Sequence, residues 1–235
     1  MTSASPPIVC VPGFMLDADL WADMLPSLSP REVIHADPGA ATSLGDMARR
    51  TLAAAPPRFD LLGFSMGGYV AREMARRAPD RTRRLVLIAT SARPDTPEQA
   101  RVKRAAAEAT LSDAASFRGI SRAAVRRSLG PDRENDTAMV ERIVRMGTRL
   151  GGGTFARQSR FARYSDQDRL GEIACPTLIV AGRHDRLRGL DEAEELRAGI
   201  PGSRLAVLSA GHMLPLETPR SLATLIDAFL REAMP

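Results

Sequence analysis

The pentapeptide Gly63-Phe64-Ser65-Met66-Gly67 carries the strongest chemical signal in the chain. It follows an apolar run, Phe59–Leu62, that reads as a strand, and it opens a helical pattern over Met66–Arg77. A glycine–x–serine–x–glycine turn between strand and helix is the setting in which a serine hydroxyl becomes a nucleophile. The sharp turn forces the serine into a strained backbone conformation, so its neighbours must be small. Gly63 and Gly67 supply that room. The Met66 N–H then falls in the first turn of a helix, where the dipole favours developing negative charge. Gly68 lets the helix pack closely on the strand. Tight strand-to-helix turns also occur in α/β proteins that do no chemistry, so the motif needs partners.

A serine is a weak nucleophile at neutral pH and requires a base. The chain has three histidines, each near the carboxyl end of a predicted strand: His35, His184 and His212. Strand-end histidines are commonly satisfied by the backbone, which suits His35 well and His184 moderately. His212, in the loop Ser209-Ala210-Gly211-His212, is preferred, because Ser…Asp…His is the order in which this triad runs along a chain. The acid must fix the imidazole tautomer and stabilise the imidazolium. Asp185 follows a predicted strand and precedes the His212 strand. Asp191 is its nearest rival but reads as the first turn of a helix. A second oxyanion donor should come from the loop after the first strand, Pro12-Gly13-Phe14-Met15. The Phe14 N–H is the choice and that of Met15 the alternative. The Phe14 ring either lines an acyl pocket or packs on a helix.

These residues need a scaffold that delivers them to one edge. Short apolar runs at Ile8–Val11, Glu32–His35, Phe59–Leu62, Arg84–Ala89, Thr177–Ala181 and Arg204–Leu208 alternate with helical patterns. Such alternation predicts an α/β fold with a parallel sheet covered on both faces. Helices are predicted over Asp19–Leu28, Leu44–Ala54 (Ser43 as N-cap), Met66–Arg77 and Asp191–Ala198. A last helix starts at Pro219, with Thr218 as N-cap. From Asp95 to Asp168 no strand is legible. Ala- and Arg-rich helical stretches run through Gln99–Thr110, Asp113–Phe117, Ser121–Ser128 and Asn135–Leu150. Breaks fall at Gly130-Pro131 and at Gly151-Gly152-Gly153, the latter read as a hinge or loop. The expected organisation is a core of residues 1–94 and 169–235 with a helical insertion at 95–168.

Composition bounds the partners. The chain has 235 residues, enough to bury a core without disulfide or metal staples. The net charge is +5, but arginines are interleaved with acids, Lys103 is the one lysine, and aromatics are 4%. Nucleic-acid binding is therefore not expected, while a mild preference for anionic substrates or surfaces is compatible with the charge. No apolar run is long enough to span a membrane. Cys10 and Cys175 show no metal-ligand spacing. The N-terminus has no basic region ahead of its apolar run, so the expectation is a cytoplasmic chain without a secretory leader. Monomer and homodimer both stay open.

The glycine–serine turn, the Pro12-Gly13-Phe14 loop, Cys175-Pro176-Thr177 leading into the Asp185 strand, and Gly211-His212 with Pro215 and Glu217 downstream resemble the α/β-hydrolase fold family. The likeness runs over most of the chain. It implies Ser65 as nucleophile, His212 as general base, Asp185 as its partner, and the Met66 and Phe14 amides as oxyanion hole. It also implies that residues 95–168 form a helical cap. Two features depart from the pattern. Pro12-Gly13 stands where many members have His-Gly, and the chain begins almost at its first parallel strand. A trimmed sheet of six strands, order 2-1-3-4-5-6, is therefore expected.

The function that follows is a serine hydrolase acting on a small-molecule carboxylic ester or lactone through an acyl-enzyme on Ser65, with no cofactor or metal. Cleavage of a carbon–carbon bond or a thioester by the same triad, and a non-catalytic ligand-binding role, are the alternatives. Met15 and Met213 are candidates for an adaptable apolar pocket, or core filler. Arg157, Gln158 and Arg160 could bind a substrate carboxylate, although a solvated arginine face is the commoner outcome. The arginines at 72, 76, 77, 81, 83 and 84 read as an exposed helix flank, with Glu73 pairing locally.

Overall fold

A computed structural model describes residues 5–113 and 116–233. The first four residues, on which the absence of a leader was argued, lie outside the described residues. So does the middle of the helical stretch expected at Asp113–Phe117.

Six parallel strands form one sheet: β1 (Ile8–Val11), β2 (Val33–His35), β3 (Phe59–Phe64), β4 (Thr82–Ile88), β5 (Thr177–Gly182) and β6 (Arg204–Leu208), in the order β2-β1-β3-β4-β5-β6. Register pairs Cys10 with Leu62, Leu62 with Val86, and Val86 with Leu178. Successive side chains on a strand face opposite ways, and here both faces are apolar. Ile8, Cys10, Leu62, Phe64, Val86, Ile88, Leu178 and Val180 belong to one core. Val9, Val11, Phe59, Leu61, Leu85, Leu87, Ile179 and Ala181 belong to the other. Burial on both sides is why the inner strands β1, β4 and β5 read as apolar runs, while the edge strands β2 and β6 are only partly buried.

Helices α1 (Leu44–Ala54) and α2 (Met66–Arg77) cover the second core. Between β4 and β5 come α3 (Pro97–Ser112), α4 (Arg122–Ser128) and α5 (Thr137–Ser159). A capping box starts α3: Thr96 Oγ1 accepts from Gln99 N–H and Gln99 Oε1 from Thr96 N–H. The expected hinge at 151–153 is one break inside α5, at Gly151, whose φ of +78° suits glycine. The chain then adds α6 (Leu190–Gly199), the single turn α7 (Leu214–Glu217) and α8 (Pro219–Arg231). No helix among the described residues is long and apolar enough to cross a membrane.

Three local expectations fail for physical reasons. The helix expected over Asp19–Leu28 is two short 3-10 turns, Ala18–Trp21 and Leu25–Ser27. Pro26 lacks the N–H an α-helix would need there. Thr218 does not cap α8 with its side chain, because its hydroxyl turns back to the Leu214 carbonyl at 3.3 Å. The arginine flank of α2 is not wholly exposed. Arg72 is fully buried, forked onto Asp166 with both bonds at 2.8 Å and donating to Ser91 O. The segment descending from α5 to β5 carries Asp166 across α2 and covers that face.

Candidate active site

The order β2-β1-β3 places a switch point between β1 and β3, where an open parallel sheet offers a crevice at its carboxyl edge. Ser65 stands there, between β3 and α2, with φ +52° and ψ −115°. A non-glycine residue in that region is strained and persists only where its surroundings hold it. Its N–H donates to Ile88 O at 2.9 Å, and its carbonyl accepts from Thr90 Oγ1 at 2.7 Å. The glycines have a steric reason. A Cβ on Gly63 would come within 2.6 Å of Ala71 Cβ, and one on Gly67 within 2.2 Å of Val11 O. The same contact presses the end of β1, and so the loop Pro12-Gly13-Phe14, against the first turn of α2.

His212 Nε2 lies 2.9 Å from Ser65 Oγ, and His212 Nδ1 lies 2.7 Å from Asp185 Oδ2. The Asp185 side chain is fully buried and that of His212 nearly so. Asp185 is fixed by its own turn, since its other oxygen accepts from the N–H groups of Leu187 (2.7 Å) and Arg188 (2.9 Å). A carboxylate held at Nδ1 leaves Nε2 free to accept the serine proton, which is the geometry of a base poised on a nucleophile. The rival groups are elsewhere. Asp191 is exposed and bonds Arg93, and the side chains of His35 and His184 are exposed. Neither cysteine competes as nucleophile. Burial raises the Cys10 thiol pKa far above neutrality and pushes that of Cys175 up to about 11.

The loop of His212 is held by Ser128, which the sequence does not single out, and by Glu217, which it marks without a role. Its N–H donates to Ser128 O at the end of α4, at 2.7 Å. Glu217, buried in α7, accepts three backbone N–H groups: Gly130 (2.8 Å) and Gly211 (3.0 Å) on Oε2, and Met213 (2.9 Å) on Oε1. One carboxylate thus ties the residues on both sides of His212 to the chain leaving α4.

Gln158 also has a different place from the one expected. It does not line the cavity over Ser65. Its Oε1 accepts the Met15 N–H at 2.8 Å, and its Nε2 donates to Pro38 O at 2.9 Å. Arg157 donates to Gly39 O and Thr154 Oγ1, and Arg160 lies in a separate surface depression beside Asp166. The three residues form no carboxylate clamp over Ser65, because this end of α5 faces the loop after β2. Gln158 thereby occupies the Met15 N–H, the alternative donor of this loop.

A cavity of about 360 Å³ opens over Ser65 and His212. Phe14, Met15, Phe64 and Met213 line its floor, and Val125, Ile143 and Phe155, from α4 and α5, line its roof. The Phe14 and Phe155 rings meet edge to face, 5.5 Å apart. Met66 points into the opposite core. Phe155 and the cations at one side of this cavity carry no sequence signal, beyond Lys103 being the one lysine.

Comparison with known proteins agrees with this architecture. Over 93 residues the chain is 38% identical to the pimeloyl-[acyl-carrier protein] methyl ester esterase of Pectobacterium carotovorum, which spans 36% of each chain. It is 24% identical to the enzyme of that name from Nitrosomonas europaea, over 97% of this chain and 96% of the other. The chain thus spans little more than a third of the first relative's length and nearly all of the second's. Among solved structures, a thermophilic esterase from Thermogutta terrifontis superposes with a TM-score of 0.80 at 28% identity, covering 98% of this chain and 91% of that one. The family model described as alpha/beta hydrolase fold matches residues 41–219, a span that holds the strained serine, its acid and its base. With the sheet order, this match establishes that the chain belongs to the α/β-hydrolase fold family.

Proposed function

We propose that the protein is a serine hydrolase that cleaves a small-molecule carboxylic ester or lactone. The observation that carries this reading is the chain Ser65 Oγ–His212 Nε2–Asp185, with contacts of 2.9 and 2.7 Å, at the floor of an apolar cavity. Relatives named as methyl ester esterases support ester chemistry over the carbon–carbon and thioester alternatives. In this reading residues 95–168 act as a cap over a core of residues 1–94 and 169–235.

His212 takes the Ser65 proton as the hydroxyl oxygen attacks the ester carbonyl. The new oxyanion is held by the Met66 and Phe14 N–H groups, and loss of one such donor costs about 2.7–4 kcal/mol in the transition state. The imidazolium returns its proton to the departing alkoxide, leaving an ester on Ser65. Water then gives a proton to His212 and attacks the acyl carbon. Collapse expels Ser65, which takes the proton back. Asp185 stays ionised and stabilises the imidazolium in both halves.

The test is mass spectrometry after exposure to a fluorophosphonate, followed by assay on esters, lactones, thioesters and β-diketones. A single adduct on Ser65, ester turnover, and loss of both in a folded Ser65→Ala variant are expected. No adduct and no turnover in folded protein would favour the ligand-binding alternative.

A further inference from the structure

The cavity over Ser65 is apolar except along one side. There Lys103 from α3, Arg163 from the segment after α5 and Arg188 from the turn of Asp185 line it together, with Arg127 of α4 at the exposed rim. Among the described residues that line the cavity there is no carboxylate. Acids do stand behind these cations. Asp95 takes Lys103 and, at 3.6 Å, Arg163, while Glu192 takes Arg188 at 3.1 Å. Three inner cations therefore pair with two carboxylates, and neither carboxylate lines the cavity.

These groups are held rather than waving in solvent. The side chains of Arg163 and Arg188 are 12% and 17% exposed, and that of Lys103 is 26% exposed. Arg163 lies over the Tyr69 ring at 5.8 Å, and the Arg188 N–H is bound to Asp185. Burial, then the neighbouring charge of Arg163, lowers the Lys103 ammonium to about 8 despite its bond to Asp95. That is the behaviour of a cation held out of water beside a like charge. Burying three cations beside an apolar cavity is costly unless an anion completes the set.

We propose that Lys103, Arg163 and Arg188 form an anion subsite, and that the ester cleaved at Ser65 carries a carboxylate or phosphate at the end away from the scissile bond. This inference rests on the ester-hydrolase reading and narrows it. The apolar floor and roof hold the connecting carbon chain, and the three cations bind the terminal anion.

The experiment compares three alkyl esters of equal chain length, ending in methyl, carboxylate or phosphate. One charge-assisted contact contributes enough for about a tenfold preference or more. A higher kcat/KM for an anionic ester, falling toward the neutral value in Lys103→Gln, Arg163→Gln and Arg188→Gln, is the expected result. Which anion gains more identifies the terminal group. A neutral ester cleaved as well as both anionic ones overturns the subsite while leaving Ser65 chemistry intact. Calorimetry on Ser65→Ala reads the subsite without turnover. The acid-terminated product analogues should bind about tenfold tighter than the methyl-terminated one, and Lys103→Gln should shrink the difference. Equal binding of all three overturns the proposal even if no ester in the panel is turned over.

Discussion

Glu217→Gln tests whether the His212 loop is held from beneath by one carboxylate. Glu217 Oε2 receives Gly130 and Gly211, and Oε1 receives Met213. A glutamine can keep its oxygen on the first pair, but its NH2 then faces the Met213 N–H, donor against donor. One charge-assisted bond is lost and one buried N–H is left unmatched, a cost of about 1.5–3 kcal/mol. In a domain of this size each kcal/mol moves Tm by about 2–4 °C, so Tm should fall by about 3–12 °C. Glu217→Ala strands three buried N–H groups, about 3–9 kcal/mol, which approaches the whole stability of a domain and should yield insoluble protein. His212 lies between two of the three donors. Its imidazole should therefore lose its alignment on Ser65, and kcat should fall about ten- to a hundredfold with KM nearly unchanged. Thermal unfolding by circular dichroism and steady-state ester kinetics read the two effects. A soluble Glu217→Gln protein with wild-type Tm and kcat would refute the reasoning, because the carboxylate would then be dispensable.

Gln158→Met removes the acceptor of the Met15 N–H and the donor to Pro38 O. A fall in kcat by about tenfold or more, with a smaller change in KM, is expected from steady-state kinetics if this side chain sets the Phe14 amide. Gly67→Ala would place a methyl 2.2 Å from Val11 O, so the expected outcome is aggregated protein on gel filtration, or a separation of β1 from α2 visible as lost turnover. For Lys103 the sign runs with pH. Its folded pKa of about 8 lies below the usual lysine value, so between about pH 8 and 10.5 the unfolded chain holds the extra proton and stability rises with pH. The preference for anionic esters should fall as Lys103 of the folded protein loses its proton, from about pH 7 to 9. Arg163, Arg188, Asp95 and Glu192 are the other charged groups packed around Lys103, and Lys103→Arg should flatten the profile.

How much of this was legible follows from where the determining forces act. The inner strands of the sheet were readable because burial on two faces demands apolar runs, and β1 matches the pattern residue for residue; the edge strand β6 also matches, on its apolar composition, although it is only half-buried. Ser65, Asp185 and His212 were readable because the turn that strains a serine imposes glycines nearby, and chain order picks the other two. The 3-10 turns after β1 were not, since Leu20, Met24, Leu25 and Leu28 have helical spacing that a single proline overrides. The role of Gln158 was not legible either. A buried amide that bridges Met15 and Pro38, more than a hundred residues away in sequence, leaves no local trace. The burial of Arg72 depended likewise on Asp166 arriving from a distant segment.

The bonds around the site argue against a cap that moves freely over a fixed core. The end of α4 supplies the acceptor for the His212 N–H, and the Gly130 N–H enters the Glu217 cluster. The chain is so close there that a Cβ on Gly211 would stand 2.2 Å from Gly130 N. Near its C-terminal end α5 supplies Gln158 to the Met15 N–H in the loop after β1. Lifting α4 and α5 away as one body would break bonds at His212 and at the loop after β1 together, leaving the N–H groups of Gly130, His212 and Met15 without these partners. Substrate entry should instead use the parts of the insertion that make no such bonds. Helix α3 fits that description: it buries only Ala107 and presents Val102, half exposed, at the cavity. Hydrogen exchange should accordingly find α3 opening at lower cost than α4 or the Met15 amide, and equal protection across the three would show the insertion to be one rigid piece.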